Sequence, residues 1–128
     1  MSGIEVFGPK NPNLPFHPAV RAGDFVFISG QVAKDENGTM LGGTIEQETR
    51  GCIEALRRAL AAGGCMLDDV VKLTTYLEEA RDFGPYNGVC KEYFPEGRLA
   101  RTTVEARAVI STRIEMDCIA YMPQGTMR

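Results

Sequence analysis

The segment TIEQETRGCIEALRRALAAGG, residues 44–64, carries both of its own boundaries, and that constrains the fold more than any other stretch. Thr44 and Gln47 have the spacing of a capping box, in which the threonine oxygen and the glutamine side chain each satisfy an amide left open at a helix start. Thr49, Ile53, Leu56, Leu60 and Gly63 recur at helical spacing, Arg50, Glu54, Arg57 and Arg58 fall on the other side, and Gly63-Gly64 supplies the stop. A helix so bounded must bury its one apolar stripe. The runs on either side of it have period two. FVFIS, residues 25–29, follows a turn at Gly23-Asp24 and ends at Gly30, a bend or point of close approach. In VVKLTTYL, Val71, Leu73, Thr75 and Leu77 alternate with Lys72, Thr74 and Tyr76.

The remaining elements follow from similar signals. Ile4–Phe7 is a short apolar strand, and GPKNPNLPFHP after it holds four prolines, which makes it a loop. Asn37-Gly38 marks a hairpin-type turn. A second helix starts near Asp82, which caps it, with Pro85 tolerated in the first turn. Its apolar stripe is Phe83, Tyr86, Cys90 and Phe94, and Asn87 sits on the face that should be buried; PEG at 95–97 ends it. RTTVEARAV and RIEMDCIAYM are the last two strands, joined tightly around residues 110–112. The order of strands, helix, strand, helix, strands predicts a single α+β domain over residues 1–128, a mixed sheet with both helices on one face.

Composition removes whole classes of function. Fourteen Lys and Arg stand against 17 Asp and Glu, a net charge of −3, which argues against nucleic acid as a partner. The first residues have no charged stretch followed by an apolar run, and no window approaches the length of a membrane span, so neither a leader nor an anchor nor a membrane partner is expected. Cys52, Cys65, Cys90 and Cys118 lie far apart, as suits reduced, buried thiols in a cytoplasmic protein. With His17 as the one histidine, a multi-histidine metal site is impossible, and no metal is expected. No G-x-G-x-x-G, Walker loop or G-x-S-x-G appears, so nucleotide cofactors and serine hydrolase chemistry lose their usual signals.

What remains is a set of polar residues at structured positions: Arg101, Asn87, Glu115 and Ser29. Alternation in RTTVEAR places Arg101, Thr103, Glu105 and Arg107 on one side and Thr102, Val104 and Ala106 on the other, and the second set is expected to meet the helices together with Ile114, Met116, Cys118 and Ala120. The plain reading of the first set is a solvated face whose charges pair across strands with Arg113, Glu115 and Asp117, for about 1 kcal/mol or less each. The alternative is that Arg101 awaits a ligand carboxylate, gripped by its planar fork. Ile119 and Tyr121 are apolar on the supposedly wet face, as if another subunit covered part of it.

The stretches RAGDFVFISGQVA, VVKLTTYLEEARDFGPYNGVCKEYF and ARTTVEA with RIEMDCIAYMP resemble the Rid, or YjgF-like, family of reactive intermediate deaminases, in that family's order and spacing from about residue 20 to 123. The resemblance implies a chorismate-mutase-like α+β subunit that assembles into a homotrimer with a barrel-like core and clefts between subunits. It implies hydrolysis of 2-enamino and 2-imino acids such as 2-aminoacrylate to 2-keto acids and ammonia, with no cofactor or metal. On that resemblance Arg101 binds the substrate carboxylate, Glu115 positions the attacking water, Asn87 and Thr103 fix the amine end, and Phe16, Ser29 and Gly30 line the cleft. This sequence departs from the family's pattern in four places: Leu99 stands for a proline, Phe16 for a tyrosine, Thr103 for a common cysteine and Glu48 for a glutamine. RAGDF and RTTV are similar to relatives acting on longer amino-dienoates such as 2-aminomuconate. A different class, a non-catalytic trimer binding small carboxylates or acting as a chaperone, also fits the resemblance.

Overall fold

In the computed structural model, which describes residues 3–125, the capped segment is α1 (Ile45–Ala62). Both arms of the capping box form: Gln47 N–H donates to Thr44 Oγ1 at 3.1 Å and Thr44 N–H to Gln47 Oε1 at 2.8 Å. Thr49, Ile53, Leu56 and Leu60 are fully buried. Around α1 lie β1 (Ile4–Phe7), β2 (Ala19–Ala22), β3 (Phe25–Val32), β4 (Val70–Leu77), α2 (Phe83–Tyr93), β5 (Ala100–Glu105) and β6 (Ile114–Tyr121). They form one mixed six-stranded sheet in the order β1-β2-β3-β6-β4-β5, parallel only between β4 and β5. The α+β arrangement with helices on one face is as expected. Its core joins α1, α2 and the inner row of the central strands.

Several local expectations are corrected. β2 was not foreseen: four residues of mixed polarity form a strand because they pair with β3 through the tight turn at Gly23, whose φ of 62° is the left-handed region that glycine adopts freely. In β4 a register irregularity between Val70 and Lys72 turns Val70 into the core and Val71 out, so the inward row is Val70, Leu73, Thr75 and Leu77. On α2, Asp82 makes no side-chain cap and Phe83 is exposed, while Val89 is buried beside Tyr86 and Cys90. Asn87 is half-buried rather than enclosed.

The largest correction concerns the last two strands, which are not neighbours. β6 inserts between β3 and β4, and β5 lies outside β4 as the end of a β4-α2-β5 crossover. The tight join is therefore a longer connection over residues 106–113, and β5 stops at Glu105. Pairing in register, Leu73 with Arg101 and Thr75 with Thr103, puts the side chains of each pair on the same side of the sheet. Leu73 and Thr75 are buried under the helices, so Arg101 and Thr103 face the helix side and Thr102 and Val104 the open side, the reverse of the expectation. Lys72 Nζ donating to Thr102 Oγ1 at 2.6 Å agrees with this phase.

The open face is strongly apolar at one end. One row crosses four strands through Val6, Val20, Phe27 and Ile119, and another through Ile4, Ala22, Phe25 and Tyr121. Phe27 is 45% exposed and the rings of Phe25 and Tyr121 lie 5.4 Å apart.

Candidate functional site

β5 is an edge strand, and α2 runs beside it on the helix side of the sheet. That geometry places Arg101 against two rings of α2. Its guanidinium carbon lies 5.5 Å from the centroid of Phe83 and 5.2 Å from that of Tyr86, within cation–π range of both. No carboxylate pairs with Arg101 among the described residues. Glu105, two strand positions beyond Thr103, instead accepts from Ala80 N–H at 2.7 Å, fastening the turn that precedes α2. A groove lined by Leu73, Cys90, Lys91, Phe94, Leu99 and Arg101 opens beside the guanidinium. Burial pushes the Cys90 thiol up from its ordinary value, partly offset by Arg101.

Thr103 sits one alternate position further along β5, its Cβ roughly 7 Å from that of Arg101 by strand geometry. Its hydroxyl lies 3.0 Å from the Tyr86 hydroxyl, which donates to Thr75 Oγ1 at 2.8 Å. Asn87 follows Tyr86 on α2, half-buried, with no side-chain hydrogen bond to any described residue. Arg101, Thr103 and Asn87 thus belong to one β5–α2 region. Phe83 and Tyr86, which line Arg101, read in the sequence only as members of the apolar stripe of α2. The signal that would have found Tyr86 is a hydroxyl in the middle of that stripe facing a strand with a threonine at the inward position.

The other expected residues lie elsewhere. Glu115 pairs across the sheet with Tyr76, three residues along β6 from Cys118, which is level with Arg101, and it points to the open face. Arg101 and Glu115 of one chain therefore occupy opposite faces, and the cross-strand ion pairs of the plain reading do not form between them. Gly30 packs on Glu115: a Cβ at residue 30 would overlap the Glu115 carboxylate, so the irregularity in β3 between Ile28 and Gln31 leaves the space that this side chain fills. Burial, and then the neighbouring Asp117 charge, raise the Glu115 carboxyl above the ordinary range. Asp117 accepts from the Tyr76 hydroxyl at 2.9 Å.

Ser29 holds the rim in place rather than offering a free hydroxyl. Its Oγ donates to the His17 carbonyl at 2.6 Å and its N–H to the Pro18 carbonyl at 2.9 Å, which tethers the loop carrying the exposed Phe16. Glu48, 6% exposed, accepts from both the backbone N–H and Nε of Arg113, and Arg113 also donates to the Gly43 carbonyl. A glutamate there anchors residue 113, at the mouth of β6, to the start of α1.

The family model described as endoribonuclease L-PSP matches residues 9–122. A RutC family protein of Pyrococcus abyssi is 40% identical over 120 residues, 91% of this chain and 94% of the relative. The mouse protein named 2-iminobutanoate/2-iminopropanoate deaminase is 33% identical over 108 residues, 83% of this chain and 80% of its own. A solved Thermotoga maritima structure superposes with a TM-score of 0.84 at 34% identity, covering 91% of this chain and 96% of that one.

Proposed function

Because the chain belongs to the Rid family, the YjgF-like proteins whose family model carries the endoribonuclease description, we propose that it is a deaminase of 2-enamino and 2-imino acids such as 2-aminoacrylate, needing neither metal nor cofactor. The observation that carries this reading is the Arg101 guanidinium, held on two aromatic faces beside an open groove with no carboxylate of its own. A planar fork in that setting is suited to a small planar carboxylate, gripped through two parallel N–H···O bonds. The net charge of −3 gives no support to the nuclease in the family model's description.

In the proposed reaction the enamine tautomerises to the imine while Arg101 holds its carboxylate. Water then adds to C2, giving a carbinolamine. The C–N bond breaks, nitrogen leaves as ammonia with a proton from the former water, and the C2–O bond becomes the ketone of a 2-keto acid. Glu115 orients that water and relays its proton, help of this kind being worth about 10²–10⁴-fold. Since Glu115 and Gly30 lie on the face opposite to Arg101, the complete site needs two chains: the β5–α2 edge of one against the open face of the next. The apolar rows around Phe27 support such packing, and a closed trimer is the proposed assembly. Four buried cysteines, none of them in a disulfide among the described residues, suit a reducing compartment such as the cytoplasm.

The test generates 2-aminoacrylate and 2-aminocrotonate in situ with a pyridoxal-phosphate dehydratase and follows keto-acid formation with wild-type protein and Arg101→Ala. Acceleration by the wild type that falls about a hundredfold or more in the variant, with unchanged circular dichroism, is expected. Equal acceleration by both proteins would overturn the carboxylate clamp. No acceleration by either, with saturable binding of 2-keto acids, would leave a non-catalytic carboxylate-binding protein. Acceleration only with 2-aminomuconate would move the assignment to longer amino-dienoates.

A further inference from the structure

The Tyr86 ring that supports the guanidinium carries the middle member of a chain of three hydroxyls, Thr75 Oγ1, Tyr86 Oη and Thr103 Oγ1, separated by 2.8 and 3.0 Å. Thr75 and Tyr86 are fully buried, and Thr103 is half-buried, with its side chain on a groove shared with Leu77, Phe83 and Glu105. A phenol has one proton. Tyr86 gives that proton to Thr75, so the second contact has to run the other way, with Thr103 O–H donating to Tyr86 Oη. Burial raises the Tyr86 hydroxyl above the ordinary phenol range, so it holds its proton throughout the neutral range. The Thr103 proton is then committed to the interior. What its oxygen turns toward the groove is lone pairs, and no described residue donates to them.

We infer that Tyr86 is a positioning residue that locks Thr103 as a hydrogen-bond acceptor, so that the site beside Arg101 selects carboxylates bearing an N–H at the adjacent carbon and disfavours those bearing a carbonyl oxygen there. The inference rests on the carboxylate reading of Arg101 and deepens it. An enamine, an imine and a protonated imine all present N–H at that position and meet an acceptor. The 2-keto acid presents an oxygen there, lone pairs facing lone pairs, and is released. A threonine with a free rotor would turn its own O–H to the ketone and hold the product. Tyr86 removes that option, and with its ring it also supports the guanidinium, so a single buried side chain sets both ends of the ligand.

Two stable planar acids isolate the effect. Pyrrole-2-carboxylate carries N–H next to the carboxylate-bearing carbon; furan-2-carboxylate has the same shape with an acceptor oxygen in that place. Calorimetric titration of the assembled wild-type protein is expected to show about a tenfold preference for the pyrrole acid. In Tyr86→Phe, which keeps the ring and frees the Thr103 rotor, the preference is expected to shrink to about threefold or less and 2-oxobutanoate is expected to bind more tightly. Thr103→Val, which keeps the shape and removes the acceptor, is expected to bind the two acids about equally. A purely structural role for Tyr86 would lower the melting temperature and leave the ratio where it was, and an unchanged ratio in both variants overturns the inference. If wild type and Arg101→Ala bind both acids alike, the carboxylate clamp itself has failed.

Discussion

At the scale of single residues, Glu115 is the group whose ionisation should be visible in activity. Its carboxyl is raised by burial and by Asp117, so the base proposed to orient water is lost to protonation at a higher pH than an ordinary glutamate would be. The acid limb of a kcat/KM profile is therefore expected above the usual carboxylate range, and Glu115→Gln is expected to remove that limb while leaving 2-keto acid binding through Arg101 in place. A limb at the ordinary glutamate value, or one that survives the substitution, would take Glu115 out of the chemistry. The same shift has a stability sign. The folded state disfavours the charged carboxylate, so the chain is relatively more stable below the unfolded value and loses that margin as pH rises through the raised one. Glu48 shows how a local departure from a family pattern finds its reason in structure. Its burial against Arg113 makes a charged partner necessary, because a carboxylate out of water needs one.

Among the elements, α1 was the most legible from sequence, since its cap, stripe and stop are all local and each acts within a few residues. Thr44→Ala is expected to cost about 1 kcal/mol and lower the melting temperature by about 3 °C without changing ligand affinity, measured by thermal unfolding. A shift of activity without a shift of stability would show that α1 reaches the site. β5 was the least legible. Alternation identifies a face only when one side of a strand is dry, and an edge strand such as ARTTVE is wet on both. What turns Arg101 toward the helices is its parallel register with Leu73, a partner 28 positions earlier in the chain (101 − 73) that no local pattern reveals. Of the candidate site, Arg101, Thr103 and Asn87 were named from sequence and fall in one β5–α2 region, whereas the opposite placement of Glu115 follows from strand order alone.

For the whole molecule, the proposed assembly rests on the open sheet face. Phe27 stands on that face, away from the helix-side core, so Phe27→Asp should leave the circular dichroism of the subunit intact. It is expected to convert the proposed trimer into monomers by light scattering, and to abolish deamination with it, because on the two-chain reading each site draws its Glu115 from the next chain. A variant that remains trimeric would move the interface elsewhere; an active monomer would show that one chain suffices.

The place of β6 has a further consequence, for the order in which the chain comes together. The last strand among the described residues fills the middle of the sheet, between β3 and β4. Until residues 114–121 have left the ribosome, β3 and β4 each present a bare hydrogen-bonding edge with apolar side chains behind it, and nothing nearer in sequence can close the gap. Helix α1 and the β2–β3 hairpin have time to form early, but the nascent sheet stays divided and exposed to wrong strand pairing until β6 is available to fill the gap.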